Sequence, residues 1–219
     1  MNSARLNGIG MTSQRTRARM LELLRQQGIK DEAVLAAINA VPRHIFVDEA
    51  ISHRAYEVTA LPIGYGQTIS SPYTVARMTE VLFAAGRLNK VLEIGTGCGY
   101  QTAVLSRFAE AVYSVERISP LLTKARKHLR ELRAANVRLK HSDGGMGLAE
   151  AAPFDGIIMT AAATHVPEDL LRQLAADGRM VLPIGNVEQQ LTLIERTGRE
   201  YRQTVLEPVR FVPLLPGVA

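Results

Sequence analysis

Three glycines at alternate positions follow a short apolar run near the middle of this chain of 219 residues. The stretch reads Val91-Leu92-Glu93-Ile94-Gly95-Thr96-Gly97-Cys98-Gly99-Tyr100. Glycine permits positive φ and lets a ligand lie against bare main chain, and a helix predicted at 101–108 adds the partial positive charge of its N-terminus. A G-x-G-x-x-G dinucleotide fingerprint needs glycine where Tyr100 stands, so the pattern is E-x-G-x-G-x-G instead.

Two carboxylates follow at the ends of the next predicted strands. Glu116 ends the strand predicted at 111–116, and a carboxylate there can accept hydrogen bonds from both hydroxyls of a ribose. Asp143, beside Gly144, comes after the strand predicted at 137–141 and is placed to meet an adenine edge. Because successive parallel strands end at the same edge of a sheet, these residues predict one nucleoside-binding site.

The elements that must position these residues alternate between strand and helix from residue 86 onward. Predicted strands lie at 90–94, 111–116, 137–141, 154–159 and 178–183, with helices between them. This alternation predicts an α/β fold with a Rossmann-like, doubly wound, mostly parallel sheet and helices on both faces. At the C-terminus, 190–195 and 201–211 are predicted to form an antiparallel pair of strands.

We predict a single domain over 1–219, since no repeat, low-complexity tract or linker divides the chain. Residues 1–10 lack periodicity and are expected to be flexible. Residues 11–55 are predicted to be a helical lead-in, with Thr12 or Ser13 before its first helix and Asp31 capping the second. Residues 56–73 are rich in Gly, Pro, Ser and Thr and are predicted to be a structured loop. A helix at 74–85 precedes the cofactor-binding sheet of 86–219.

The formal charge of +5 is concentrated at the start of the chain. Residues 1–30 hold six bases and one acid, whereas the other 189 residues hold 20 bases and 20 acids. The charge is therefore poor evidence for nucleic-acid binding, and we interpret it as a solvated basic helix. Accordingly, removal of 1–10 is expected to leave activity nearly unchanged. The eight bases within 117–140 also favour a solvated helix face, with a phosphate-binding stripe as the alternative.

Composition excludes several classes of protein. Apolar residues make up 47% and charged residues 21%, which is typical of a globular domain rather than a disordered one. No apolar run approaches the roughly 20 residues that span a bilayer, and no secretory signal pattern is present. The single cysteine suits a reducing cytosol, and the histidines show no metal-ligand spacing. These features predict a cytoplasmic protein without a metal or a membrane partner.

Two motifs together resemble a known family. The glycine spacing with Glu116 resembles the AdoMet site of class I methyltransferases. Upstream, the stretch from Leu61 to Pro72 (L-P-I-G-x-G-Q-T-I-S-x-P) is similar to the region before the cofactor motif in protein-L-isoaspartate O-methyltransferases of bacteria. The similarity extends along nearly the whole chain and includes V-P-R at 41–43 and V-R-F-V-P-L at 209–214.

The resemblance implies an activity and a role for each matching residue. The family transfers the methyl group of S-adenosyl-L-methionine (AdoMet) to the free carboxylate of L-isoaspartyl residues in damaged proteins, releasing S-adenosyl-L-homocysteine (AdoHcy). The methyl ester collapses through a succinimide, which initiates repair. The resemblance also implies that 56–73 is the substrate and active-site loop. Within it, Ser70 matches the active-site serine, for which we favour an orienting role over a loop cap or a nucleophile. The residues expected to bind the cofactor are Gln67, Thr68, Ile69, Glu93, Gly95, Thr96, Gly97, Gly99, Glu116, Asp143 and Gly144.

The chain departs from the family pattern at Val58, Ser142 and Tyr73, and we assign no substrate or acid–base role to Val58 or Tyr73. Cys98 is interpreted as a packing residue. One alternative function is a nucleic-acid methyltransferase, although the chain lacks Asp/Asn-Pro-Pro-aromatic and Pro-Cys motifs. Another is a non-enzymatic module that retains the AdoMet fold. The favoured hypothesis is a monomeric repair enzyme whose partners are isoaspartyl proteins, without nucleic acid.

Overall fold

The computed structural model describes residues 3–219, and its first part is helical. The helices there are α1 (Ser3–Asn7), α2 (Gln14–Gln26) and α3 (Glu32–Ala40), followed by 3₁₀ turns at 43–46 and 49–54. Ser13 occupies the N-cap position of α2. The Asp31 carboxylate accepts the N–H groups of Ala33 and Val34 and so caps α3. Both starts agree with the expectation from sequence.

The leading segment differs from its expectation in two respects. Residues 1 and 2 lie outside the described residues, but 3–7 form α1 where a flexible segment was expected. Arg17, expected to be solvated, is only 3% exposed, and its guanidinium donates to the carbonyls of Leu6 (2.6 Å) and Asn39 (3.1 Å). A short helix leaves its last carbonyls without partners. Arg17 supplies one, and this ties α1 to α2 and α3.

The segment predicted as a loop at 56–73 contains a small antiparallel hairpin. Its strands are β1 (Leu61–Gly64) and β2 (Gln67–Ile69), with Leu61 opposite Ile69. The turn between them has positive φ at Tyr65 (56°) and Gly66 (68°), which is the geometry of a type I′ hairpin turn. Helix α4 (Pro72–Phe83) follows directly.

A seven-stranded sheet, with helices between its strands, makes up the rest of the chain. Its strands are β3 (Leu88–Ile94), β4 (Ala109–Glu116), β5 (Val137–His141), β6 (Phe154–Met159), β7 (Leu174–Gly185), β8 (Gln189–Thr197) and β9 (Glu200–Val209). The spatial order is β5-β4-β3-β6-β7-β8-β9. The first five strands in this order are parallel, and β8 and β9 are antiparallel. The predicted mostly parallel sheet with C-terminal antiparallel strands is confirmed.

Alternate residues of the sheet pack against helices on its two faces. The remaining helices are α5 (Tyr100–Leu105), α6 (Ser119–Glu131) and α7 (Glu168–Gln173). On one face, Val91 and Val112 pack with Leu82 of α4 in a single apolar cluster. On the other, Leu92 packs in a cluster with Leu170 of α7. The two-residue period of a strand therefore decides which helix each side chain meets.

Candidate active site

One cavity opens at the carboxyl ends of β3, β4 and β6, where the order of strands reverses direction around β3. Open α/β sheets bind ligands at such switch points. The cavity encloses about 870 Å³, its open mouth included. The predicted site residues that line it are Gln67, Thr68, Ile69, Ser70, Gly95, Thr96, Gly97, Glu116 and Gly144. Its lining does not include Glu93, Gly99 or Asp143.

The glycine loop needs its glycines for space as well as for conformation. Gly95 has φ of 95°, and a Cβ placed there would lie 2.3 Å from the Thr160 hydroxyl. That hydroxyl donates to the carbonyl oxygen of Gly95 at 2.7 Å. Gly99, at φ of 90°, is the N-cap of α5 and approaches Ala125 of α6. Gly99 thus supports the loop through helix packing and does not itself line the cavity.

Glu116 brings a buried carboxylate to the cavity wall. Its Oε2 accepts the N–H of Gly97 at 2.8 Å, and its Oε1 accepts the N–H of Ile118 at 2.9 Å. Each oxygen retains lone-pair capacity for a further donor, so the pair can accept the two hydroxyls of a ribose. These two acceptor oxygens, together with the bare backbone of Gly95 and Gly97, fit the nucleoside part of AdoMet.

Glu93 faces away from the cavity, into the interface between the sheet and α5. Its side chain is fully buried, and its Oε2 accepts the hydroxyls of Thr102 and Ser114, each at 2.5 Å. The Ser114 hydroxyl lies 2.6 Å from that of Thr96 in the glycine loop. Burial raises the pKa of Glu93 to about 8. This geometry favours support of the loop over direct contact with a ligand.

Asp143 is occupied by main-chain donors. Its Oδ1 accepts the N–H of Gly145 at 2.8 Å, and its Oδ2 accepts the N–H of Gly217 at 2.6 Å. Its neighbour Gly144 lines the cavity and lies close to Ile94, where an added Cβ would be only 2.5 Å from that side chain. Asp143 therefore connects the turn after β5 to the end of the chain, beside the predicted adenine position.

An extended C-terminal segment, 212–219, completes the wall of the cavity. Its Leu214 and Leu215 line the cavity, and the Leu214 N–H donates to the Ala162 carbonyl at 2.8 Å. At its far end, Ala219 exchanges main-chain hydrogen bonds with Arg117 and Ser119, on either side of the turn after β4. From sequence, no site role is predicted for this segment. The V-R-F-V-P-L resemblance was the available signal.

Ser70 follows β2, is half-buried and lines the cavity. The alternative role of a loop cap belongs to its neighbour, because the Ser71 hydroxyl accepts the Thr74 N–H at 3.1 Å and begins α4. From sequence, Cys98 is interpreted as a packing residue, and Tyr73 is assigned no acid–base role. Burial raises the pKa of the Cys98 thiol to about 11, which suits a packing residue. The Tyr73 hydroxyl donates to the Glu207 carboxylate.

Within residues 3–219, no three His, Cys, Asp or Glu side chains lie close enough to hold a metal ion. None of the helices described for this part of the chain is both long and apolar enough to cross a membrane.

Comparisons with known proteins agree on one family. The family model for protein-L-isoaspartate(D-aspartate) O-methyltransferase matches residues 15–219. A protein-L-isoaspartate O-methyltransferase of Methylobacillus flagellatus is 68% identical, with 99% of each chain covered. One from Nitrosomonas eutropha is 60% identical, with 98% of each chain covered.

Solved structures show the same relationship. One protein-L-isoaspartate O-methyltransferase superposes with a TM-score of 0.80 at 27% identity, over 90% of this chain and 65% of the other. A Plasmodium falciparum structure of the same family name, in complex with S-adenosyl-L-homocysteine, gives 0.79 at 25% identity, over 90% and 97%.

The sheet order, the glycine loop and the strand-end acid define a class I AdoMet-dependent methyltransferase. Within that class, the chain belongs to the protein-L-isoaspartate(D-aspartate) O-methyltransferase family.

Proposed function

We propose that this protein transfers the methyl group of AdoMet to the free carboxylate of L-isoaspartyl residues in damaged proteins and peptides, which initiates repair through a succinimide. The proposal rests on one observation: the residues proposed to bind the cofactor and the serine proposed to orient the substrate line the same cavity. The glycine loop and Glu116 supply a nucleoside site, and Ser70 borders the same space. Family membership supports both the cofactor and the substrate class.

The residues of the chain have a limited task in this reaction. AdoMet supplies a methyl group on a positively charged sulfur, and AdoHcy is the product. A substrate carboxylate is ionised at neutral pH and is already a nucleophile, so no general base is required. What remains is alignment in a site with little water, for which a serine hydroxyl can donate to one carboxylate oxygen. Ser70, which lines the cavity, would supply that hydroxyl, and the raised pKa of Cys98 keeps its thiol neutral.

The residues proposed to hold the cofactor divide by location. Glu116 would accept the ribose hydroxyls, with the backbone of Gly95 and Gly97 against the ligand. The other proposed lining residues are Gln67, Thr68, Ile69, Thr96 and Gly144. For Glu93, Gly99 and Asp143 we propose supporting roles, since their side chains or backbone hold the loop and the C-terminal segment.

The deciding experiment uses two peptides that differ only in an isoaspartyl or aspartyl linkage. Incubated with methyl-labelled AdoMet, the protein should label the isoaspartyl peptide and leave the aspartyl peptide near background. A Glu116→Gln variant is the matched control and should label more weakly at low cofactor concentration. Equal labelling of both peptides, or of neither, would contradict the function.

Ser70 and Ser71 offer a matched pair of substitutions. Ser70→Ala should lower kcat by about 10-fold or more, as expected for loss of an orienting group, with AdoMet affinity and the unfolding midpoint nearly unchanged. Ser71→Ala removes a helix cap and should cost about 1 kcal/mol of stability, with a smaller effect on kcat. A collapse of cofactor affinity in Ser70→Ala would show that its role is wrongly assigned.

We further propose that the protein acts as a cytoplasmic monomer without nucleic-acid or membrane partners. Outside residues 1–30 the basic and acidic residues balance, which supports the part of the proposal that concerns nucleic acid. Light scattering should give a mass near 24.0 kDa. A mass of two chains, or methyl transfer that depends on added nucleic acid or vesicles, would overturn it.

A further inference from the structure

The β1–β2 hairpin covers the glycine loop. Ile63 in β1 lines the cavity, as do Gln67 and Ile69 in β2. A Cβ built on Gly97 would lie 3.4 Å from the end of the Ile63 side chain, so hairpin and loop are in close contact. An isolated two-stranded hairpin is marginally stable in water, and its position must therefore be held by contacts with the rest of the protein.

The tip of the hairpin carries an unusual residue. Tyr65 has φ of 56°, a left-handed conformation that favours Gly, Asn or Asp and strains a bulky side chain. Burial does not account for tyrosine here, since the side chain is 56% exposed. The Gln67 side chain lies 3.4 Å from the Tyr65 carbonyl and links the turn to the cavity lining. Strain retained at a position of this kind points to a role for the side chain itself.

The ring of Tyr65 reaches across to α6. The Lys124 ammonium lies 5.6 Å from the centre of the ring, within the range of a cation–π interaction. The next residue of that helix, Ala125, packs against Gly99 of the glycine loop. The contact therefore joins the tip of the hairpin to the helix that supports the loop from the other side.

We propose that Tyr65 is a positioning residue that holds the hairpin closed over the cofactor through its contact with Lys124. Tyr65 is not among the residues that line the cavity. It acts on Gln67 in β2 and on Ser70 directly after it, both of which line the cavity. The inference rests on the proposed function, because the ligand beneath the hairpin is taken to be AdoMet or its product.

A Tyr65→Asn substitution separates this role from a structural one. Asparagine tolerates the left-handed conformation, so the unfolding midpoint should stay within about 2 °C of the parent or rise. Loss of the contact between the Tyr65 ring and Lys124 should speed AdoHcy dissociation in stopped-flow measurements and raise the Kd for AdoHcy by about two- to fivefold. Tyr65→Phe keeps the ring and should dissociate at the rate of the parent. A merely structural residue would lose stability and affinity together, and that result would overturn the proposal.

Lys124 provides a second test that does not alter the turn. Lys124→Met should speed AdoHcy dissociation as Tyr65→Asn does, and the double variant should be no faster than the single ones. Lys127→Met, on the same helix, is the matched control and should match the parent. If Lys124→Met and Lys127→Met behave alike, the inference fails. Failure of the parent protein to bind AdoHcy would instead refute the proposed function.

Discussion

Among individual residues, Glu93 changes its charge state on folding. Its carboxyl is fully buried between β3 and α5, and the cost of burying charge raises its pKa to about 8. The hydroxyls of Ser114 and Thr102 donate to it and partly offset that cost. Glu116, by contrast, meets main-chain donors at the cavity. From sequence, both acids are expected to be cofactor ligands, since residue type alone does not say which way a side chain points.

Glu93→Gln tests this assignment. In the unfolded parent, the Glu93 carboxyl ionises above a pH of about 4.5. In the folded protein it keeps its proton to about pH 8. The free energy of unfolding therefore falls as pH rises between those values. The glutamine side chain does not titrate. The free energy of unfolding of Glu93→Gln, measured by urea denaturation, should therefore increase relative to that of the parent as pH rises from 5 to 8.

Cofactor affinity distinguishes the two roles of Glu93. If the side chain only supports the loop, Glu93→Gln should change the Kd for AdoMet by no more than about threefold, because the amide oxygen can still accept both hydroxyls. A loss of 100-fold or more would restore the direct ligand role that the glycine motif first suggested.

At the scale of elements, the helical lead-in is more closely tied to the body than its sequence indicated. His44 hydrogen-bonds through Nε2 to the carbonyl of Arg5 at 2.6 Å and through Nδ1 to the Tyr56 hydroxyl at 2.8 Å. Arg17 donates to Leu6, and Leu6 packs against the main apolar cluster. These contacts join α1 to the segment that leads into the hairpin, although none of the described residues from 3 to 62 lines the cavity.

Removal of residues 1–10 should therefore lower stability, contrary to the simple expectation from a solvated segment. Loss of the Arg17 and His44 hydrogen bonds and of Leu6 packing should cost about 2 kcal/mol, or roughly 4–8 °C in the unfolding midpoint. Methyl transfer at 25 °C should remain nearly unchanged.

Arg5→Ala is the control for that deletion, since it removes only the exposed ion pair with Glu131, which should contribute less than about 1 kcal/mol. An equal loss of stability in Arg5→Ala and in the deletion would show that the buried contacts of α1 are unimportant.

At the scale of the whole molecule, buried groups on different elements oppose each other in their effect on stability. Burial lowers the pKa of His44 and of His128, whose Nδ1 lies 3.0 Å from the Cys98 carbonyl. As pH falls, the two imidazoles are protonated in the unfolded chain before they are protonated in the folded protein. The free energy of unfolding therefore decreases below about pH 6.5. Glu93 contributes the opposite slope between about pH 4.5 and 8, so it opposes the histidines below pH 6.5 and outweighs them above it.

The protein should therefore be most stable near pH 6.5 to 7, with stability declining on both sides. Urea denaturation from pH 5 to 8.5 measures both limbs. The acid limb should become shallower when His44 and His128 are replaced by Asn, and the alkaline limb should flatten in Glu93→Gln. Unchanged limbs in these variants would place the titrating groups elsewhere.

The sequence by itself determined the elements and the kind of site. Strand–helix alternation predicted the sheet because its periods are local, and glycine spacing with a strand-end acid marked the nucleoside site because strand ends converge at one edge. Tertiary structure decided what depends on distant partners. It paired Leu61 with Ile69 in a hairpin, turned Glu93 inward and brought 212–219 beside the cavity. Leu61 and Ile69 are only eight residues apart, but the packing of the hairpin, the direction of Glu93 and the place of 212–219 all depend on contacts with other elements, which no local pattern encodes.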